Sequence, residues 1–128
     1  MTMNTTAWHD VAALDDEVQV TWMTEHGHIA DESSRRQWMR DLMVGVLDLD
    51  EEERTRMSRS LLASMLTMDD EHAKAYANDF QWVLDHGKGD VAFASLSALH
   101  TGARGLVVDD TMRLGQVWPS AFNEATAG

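Results

Sequence analysis

Apolar residues recur along this chain at steps of three and four, and strict alternation never lasts the length of a strand. That spacing marks helices with one buried stripe. It predicts an all-α fold, a compact helical bundle of five to six helices in a single domain. Trp8, Val11, Val18 and Trp22 share one face of a first helix from about Thr6 to Glu25, which Gly27 stops. Trp38, Met39, Leu42, Met43 and Val46 stripe a second, from near Ser34 to near Asp48. Ser34 and Gln37 have the spacing of a capping box there. Asp50 and Glu53 repeat that spacing ahead of a third helix with Met57, Leu61, Met65 and Met68 on one side. Glu51, Glu52 and Glu53 suit its positive end.

A fourth helix starts at Thr67 or Asp69 and turns Ala73, Tyr76, Ala77, Phe80, Val83 and Leu84 inward. Gly87 and Gly89 close it. Asp90 caps a fifth with Phe93, Leu96, His100, Ala103 and Val107 on its core face. Asp109 or Asp110 caps a short last helix bearing Met112, Leu114 and Val117, which Pro119 ends or kinks. Short links favour antiparallel neighbours. Residues 1–5 and 123–128 are expected to fray.

At 128 residues the chain can bury one core without covalent staples. It has no cysteine, which excludes disulfides and thiolate metal sites and suits an intracellular protein. Met1 to Asp10 holds no Lys, no Arg and no apolar run, so no signal peptide is expected. No stretch approaches the roughly 18 apolar residues of a spanning helix. A soluble, cytoplasmic protein with no membrane partner is the expectation.

Charge sharpens the picture. The net charge of −12 opposes direct contact with nucleic acid or anionic lipid and favours cationic partners. Solubility is its simplest use. The charge is uneven, because all the Lys and Arg lie at or beyond Arg35, and six arginines fall between Arg35 and Arg59.

Chemistry is harder to find. The chain has no Gly-x-Ser-x-Gly elbow and no His-Glu-x-x-His helix. Gly102-Ala103-Arg104-Gly105 lacks the spacing and the Lys-Ser/Thr pair of a phosphate loop. No catalytic residue and no cofactor is assigned, and the balance leans away from an enzyme. Glu25 with His28 and Asp69 with His72 have the three-residue step of bundle metal ligands. Both pairs sit at helix ends, where capping acids and surface histidines explain them better.

Four polar residues fall on apolar stripes: Asp15, Arg35, Arg54 and His100. Buried charge must be paired. The expectation is a structural pair, Asp15 with Arg35 or Arg54, beside a hydrogen-bonded core histidine. The sharper alternative is a polar pocket for a small ligand. Arg36, Arg40, Arg56 and Arg59 could share a surface that grips phosphate or an acidic partner, unless Glu32 and Glu52 neutralise Arg36 and Arg56 locally. Trp82 lies off its helix's core stripe, beside Ala75, Asn78 and Asp85, which suits an interface anchor.

The leading reading is a non-catalytic protein–protein interaction module, a small acidic regulatory, adaptor or accessory subunit. Its partner is another protein or a second copy of itself. The alternatives are a small-ligand or metal-binding bundle with a His–carboxylate site, and an acidic nucleic-acid mimic that inhibits a DNA-binding protein. The arginine-rich middle argues against the last.

Overall fold

The computed structural model describes residues 5–28 and 31–122, without the side chains at positions 5–7 and 9. Seven helices follow in order: α1 (Thr5–Ala12), α2 (Asp16–Gly27), α3 (Glu32–Leu47), α4 (Glu51–Leu66), α5 (Asp70–His86), α6 (Gly89–Ala103) and α7 (Val108–Val117). A last helical turn spans 119–122, so eight helical segments and no strand stand among the described residues. No helix among them is long and apolar enough to cross a membrane. The ends expected to fray lie, Thr5 apart, outside the described residues.

Two breaks raise the number above the expected five to six. Pro119 interrupts the last helix and then starts a turn of its own, as a proline can at the first helical position. The first helix divides at Ala13–Asp15. Asp15 is extended (φ −60°, ψ 153°) as the residue preceding α2, and Asp16 and Glu17 occupy the first turn of α2. An unbroken helix would hold Trp8 and Trp22 about 21 Å apart along its axis. The break brings their rings edge to face at 5.9 Å. It also exposes Asp15 and leaves Val18, expected inward, 51% exposed.

Caps set the other starts. Asp31, rather than Ser34, caps α3, accepting from the Ser34 amide and hydroxyl at 2.8 Å each. The Asp50–Glu53 capping box forms on α4 as expected. Asp69 caps α5 through the His72 amide. Asp90, Asp109 and Asp110 do not cap; they lie within the first turns of α6 and α7, where the dipole still favours them.

α4 is the central helix. It packs most extensively on α6 and α2 and touches α1, α3, α5 and α7. Its apolar stripe, Met57, Leu61 and Met65, is buried, but so are Ser58, Ser60, Leu62 and Ser64. The small hydroxyl face lets neighbours come close. Buried Gln19 of α2 accepts from the Ser60 hydroxyl and donates to the Val11 carbonyl, so both ends of its amide are satisfied. α6 answers with Ser95, Ala98, Leu99, Gly102 and Ala103. A Cβ at Gly102 would lie 2.8 Å from the Arg59 backbone nitrogen. Only small side chains fit so near, and this turns α6 away from its expected orientation. Phe93, expected in the core, is 74% exposed, and Val107 and Met112 are exposed as well.

Aromatic rings run through the interior in one series: Trp8, Trp22, Trp38, Tyr76, Phe80, Trp118, Phe122. Tyr76 is buried against α2, its hydroxyl reaching the Met23 carbonyl at 3.4 Å, and burial raises its phenol above the ordinary value. A Cβ at Gly45 would overlap the Trp8 indole, so that glycine lets α1 settle on α3.

Candidate functional site

Apart from Arg104, the arginines divide into two groups. Four of them hold helix ends, where the last carbonyls have no partner within the helix. Arg56 takes Ala12 O at 2.7 Å, Leu14 O and the Asp16 carboxylate, fastening the α1–α2 break. Arg54 takes Leu47 O at the end of α3 and Leu49 O just beyond it. Arg59 donates to Gly102 O of α6. Arg113 donates to Leu66 O and Met68 O at the end of α4, and to Asp70. α3 and α4 carry no basic residue in their own last turns, so a neighbouring helix supplies the positive charge the dipole favours there.

The second group lies on α3. Arg35 Nε donates to Asp79 Oδ2 at 2.5 Å and Arg36 Nε to Asp79 Oδ1 at 3.1 Å. Asp79 is buried in α5, and two guanidinium groups compensate its charge. The structural partner of Arg35 is therefore Asp79, and Asp15 and Arg54 each go elsewhere. Arg36 also meets Glu32 at 3.5 Å and lies over the Trp82 ring at 4.3 Å. Trp82 in turn stacks on His86 at 4.2 Å. The indole expected to stand free is half-buried in a layered stack.

That stack leads to an apolar opening. α5 and α6 join across Gly87 and Lys88, and α3 lies beside both. Together they form a groove of about 400 Å³. Met43, Val44, Val83, Leu84, Val91 and Ala92 make its apolar wall, and Arg40, His86 and Lys88 stand at it as the polar members. Val44 is 50% exposed. The His86 Nδ1 donates to Trp82 O at 2.8 Å, which fixes the ring at the rim. The groove offers an apolar bed and positive charge, with no carboxylate or hydroxyl among its described lining.

The remaining expected residues are not part of it. Arg56 and Arg59 face other helix ends, so the four-arginine surface does not form, although Arg36, Arg40 and Trp82 do gather on the α3–α5 side. His100 donates from Nε2 to Ala121 O at 2.7 Å and meets Phe122 edge-on, half-buried where a core histidine was expected. The cleft beside it contains no Asp or Glu. His28 and His72 come within 5.5 Å between ring centroids, and the His72 Nδ1 is 2.9 Å from Asp69, while the His28 Nδ1 donates to Thr24 O. Glu25 lines a shallow cleft with His28. Among the described residues no three His, Asp or Glu side chains are grouped to hold an ion. Asp31 and Asp69 both titrate below the ordinary carboxylate value. For Asp31 the Ser34 hydroxyl is the larger cause, and for Asp69 the His72 amide.

Sequence reasoning missed Asp79, Gln19, Arg113, Lys88 and the groove. Asp79 had a signal: it lies three residues after Tyr76 and four before Val83, on the core stripe of α5. The groove had none, since it depends on how three helices converge. Comparisons with protein-family models, with curated proteins and with solved structures find no match to this chain.

Proposed function

We propose that this chain is a non-catalytic protein-binding module, a small acidic regulatory or accessory subunit that works as a single helical domain in the cytoplasm. Its docking face is the groove between α3, α5 and α6. The observation that carries this reading is the open apolar bed of about 400 Å³ with half-exposed Val44 on its wall. Phe93, on the second turn of α6, adds a large exposed aromatic nearby in sequence. The Arg35–Asp79–Arg36 cluster, anchored on buried Asp79, and the Arg36–Trp82–His86 stack brace one side of that face, which lowers the ordering cost of a partner.

The test is affinity isolation from the native host with wild type and with Val44→Gln/Val91→Gln, paired with light scattering of both proteins alone. The expected result is a stoichiometric partner retained by wild type and lost by the variant, or a wild-type dimer that the variant dissociates. Equal recovery on both proteins would contradict the reading, as would a monomeric wild type that retains nothing.

A further inference from the structure

The groove's charge is opposite to that of the molecule. The chain carries −12 overall, yet the charged lining is Arg40 and Lys88, with His86 beside them and no acid. These cations are uncommitted. Arg40 makes one long bond to the Gln37 side chain at 3.4 Å, and neither Arg40 nor Lys88 forms an ion pair with a described residue. By contrast Arg35, Arg36, Arg54, Arg56, Arg59 and Arg113 are all bonded within the fold. Acids near in sequence are not among the lining, and each accepts a hydrogen bond from a near neighbour. Asp41 accepts from Gln37, Asp85 from Gln81, and Asp90 from the Val91 amide. Lys74 and Arg104 are exposed and without an ion pair to a described residue too, but each stands alone, away from this groove. Arg40 and Lys88 are the two that flank one apolar bed, which is set to receive an apolar surface edged with negative charge.

Resting on the docking reading above, we infer that the groove binds an acidic amphipathic helix of a partner protein. Two apolar side chains one turn apart enter between Met43, Val44, Val83 and Leu84, and carboxylates beside them meet Arg40 and Lys88. A helix matches the bed because its i and i+4 residues project from one face as adjacent anchors. Charge also selects the partner. A basic or neutral helix forfeits the rim, and a second copy of this chain offers the required sign only where its own exposed acids flank apolar side chains.

The inference is tested by panning a phage-displayed library of helical peptides on the full-length protein at low salt. Binders are then measured on wild type, on Arg40→Glu/Lys88→Glu, and on Val44→Gln/Val91→Gln. Arg40 and Lys88 are exposed, so the charge swap leaves the fold intact, which circular dichroism checks. The expected binders carry an i, i+4 apolar pair flanked by Asp or Glu. They lose about tenfold in affinity on the charge swap and bind more weakly as salt rises. Their Glu→Lys counterparts prefer the swapped protein.

Binders that need Val44 and Val91 but are neutral or basic, or ignore the swap, would overturn the acidic partner and leave the docking reading standing. Binders indifferent to Val44 and Val91, or no binders at all, would overturn both. Decanoate taken up in the groove without any peptide binding would mark a small-anion site and overturn both as well. Self-association lost in Val44→Gln/Val91→Gln without peptide binding would make the occupant a second copy and overturn the inference alone.

Discussion

The region where α4 meets α2 and α6 and the region where α3 meets α5 and α6 both join apolar side chains to arginines, and they end differently. In the first, serines, alanines and Gly102 bring backbones together, Gln19 is satisfied at both ends, and Arg56 and Arg59 are spent on helix-end carbonyls. In the second, Val44, Val83, Val91, Met43 and Leu84 line a groove that no described helix fills, and Arg40 and Lys88 stand without ion pairs to described residues. The contrast separates two uses of one chemistry. Small side chains and committed cations produce a closed contact that contributes stability. Larger apolar side chains with idle cations leave surface available for a partner.

Mutations should separate the two regions by size and kind of effect. The largest belongs to Asp79, which ties the foot of the open face into the core. Asp79→Ala leaves Arg35 and Arg36 without their shared acceptor. It is expected to cost about 3 kcal/mol, the low end for a broken buried pair because both arginines reach solvent. Urea unfolding checks this, and a change below about 1 kcal/mol would place the carboxylate outside the core.

In the closed region Gly102→Ala pushes a methyl into the Arg59 backbone, which cannot rotate away as a side chain can. A loss of about 2 kcal/mol follows from overpacking. An unchanged midpoint would mean α6 sits farther from α4.

Alkali probes the same closed packing through the chain's single tyrosine. Burial raises the Tyr76 phenol above its ordinary 10.0, so the folded protein keeps that proton while the unfolded chain releases it. The resulting stability is whole below pH 10 and falls as pH climbs above it, by up to about 1.4 kcal/mol per unit for one proton. Tyrosinate absorbance should therefore appear together with loss of helical circular dichroism. Ionisation that precedes unfolding would show the ring to be solvated.

A smaller effect of opposite sign is expected at Ser95, whose buried hydroxyl finds no partner among the described residues. Ser95→Ala should gain about 1 kcal/mol in thermal or urea unfolding. A loss would mean that the hydroxyl is bonded in solution. The open face should respond least: Arg40→Gln, Lys88→Gln and Phe93→Ser should each stay within about 0.5 kcal/mol of wild type. If any of them costs as much as Gly102→Ala, the distinction between the regions fails.

The helical class was legible because spacing in sequence maps directly onto a helix face. The long elements could be read with their caps at Asp50 and Asp69. What escaped depended on partners distant in sequence. Asp15 sits where a continuous stripe would bury it, and only Arg56, a distant residue on α4, reveals the break that Asp15 ends. Phe93 fits the apolar period of α6, but the serine face of α4 selects small residues instead. Trp82 could be placed off the core stripe from sequence, whereas its cover, Arg36, comes from another helix. The groove was the least visible, since each of its walls reads as an ordinary helix surface.

Site-specific photo-crosslinking in living host cells tests the central claim most directly, with a photoreactive residue at position 44 in the groove or at exposed position 108 on α7. A discrete adduct at position 44 and none at position 108 is the predicted result. Adducts at position 108 alone, equally at both positions, or at neither would contradict the account.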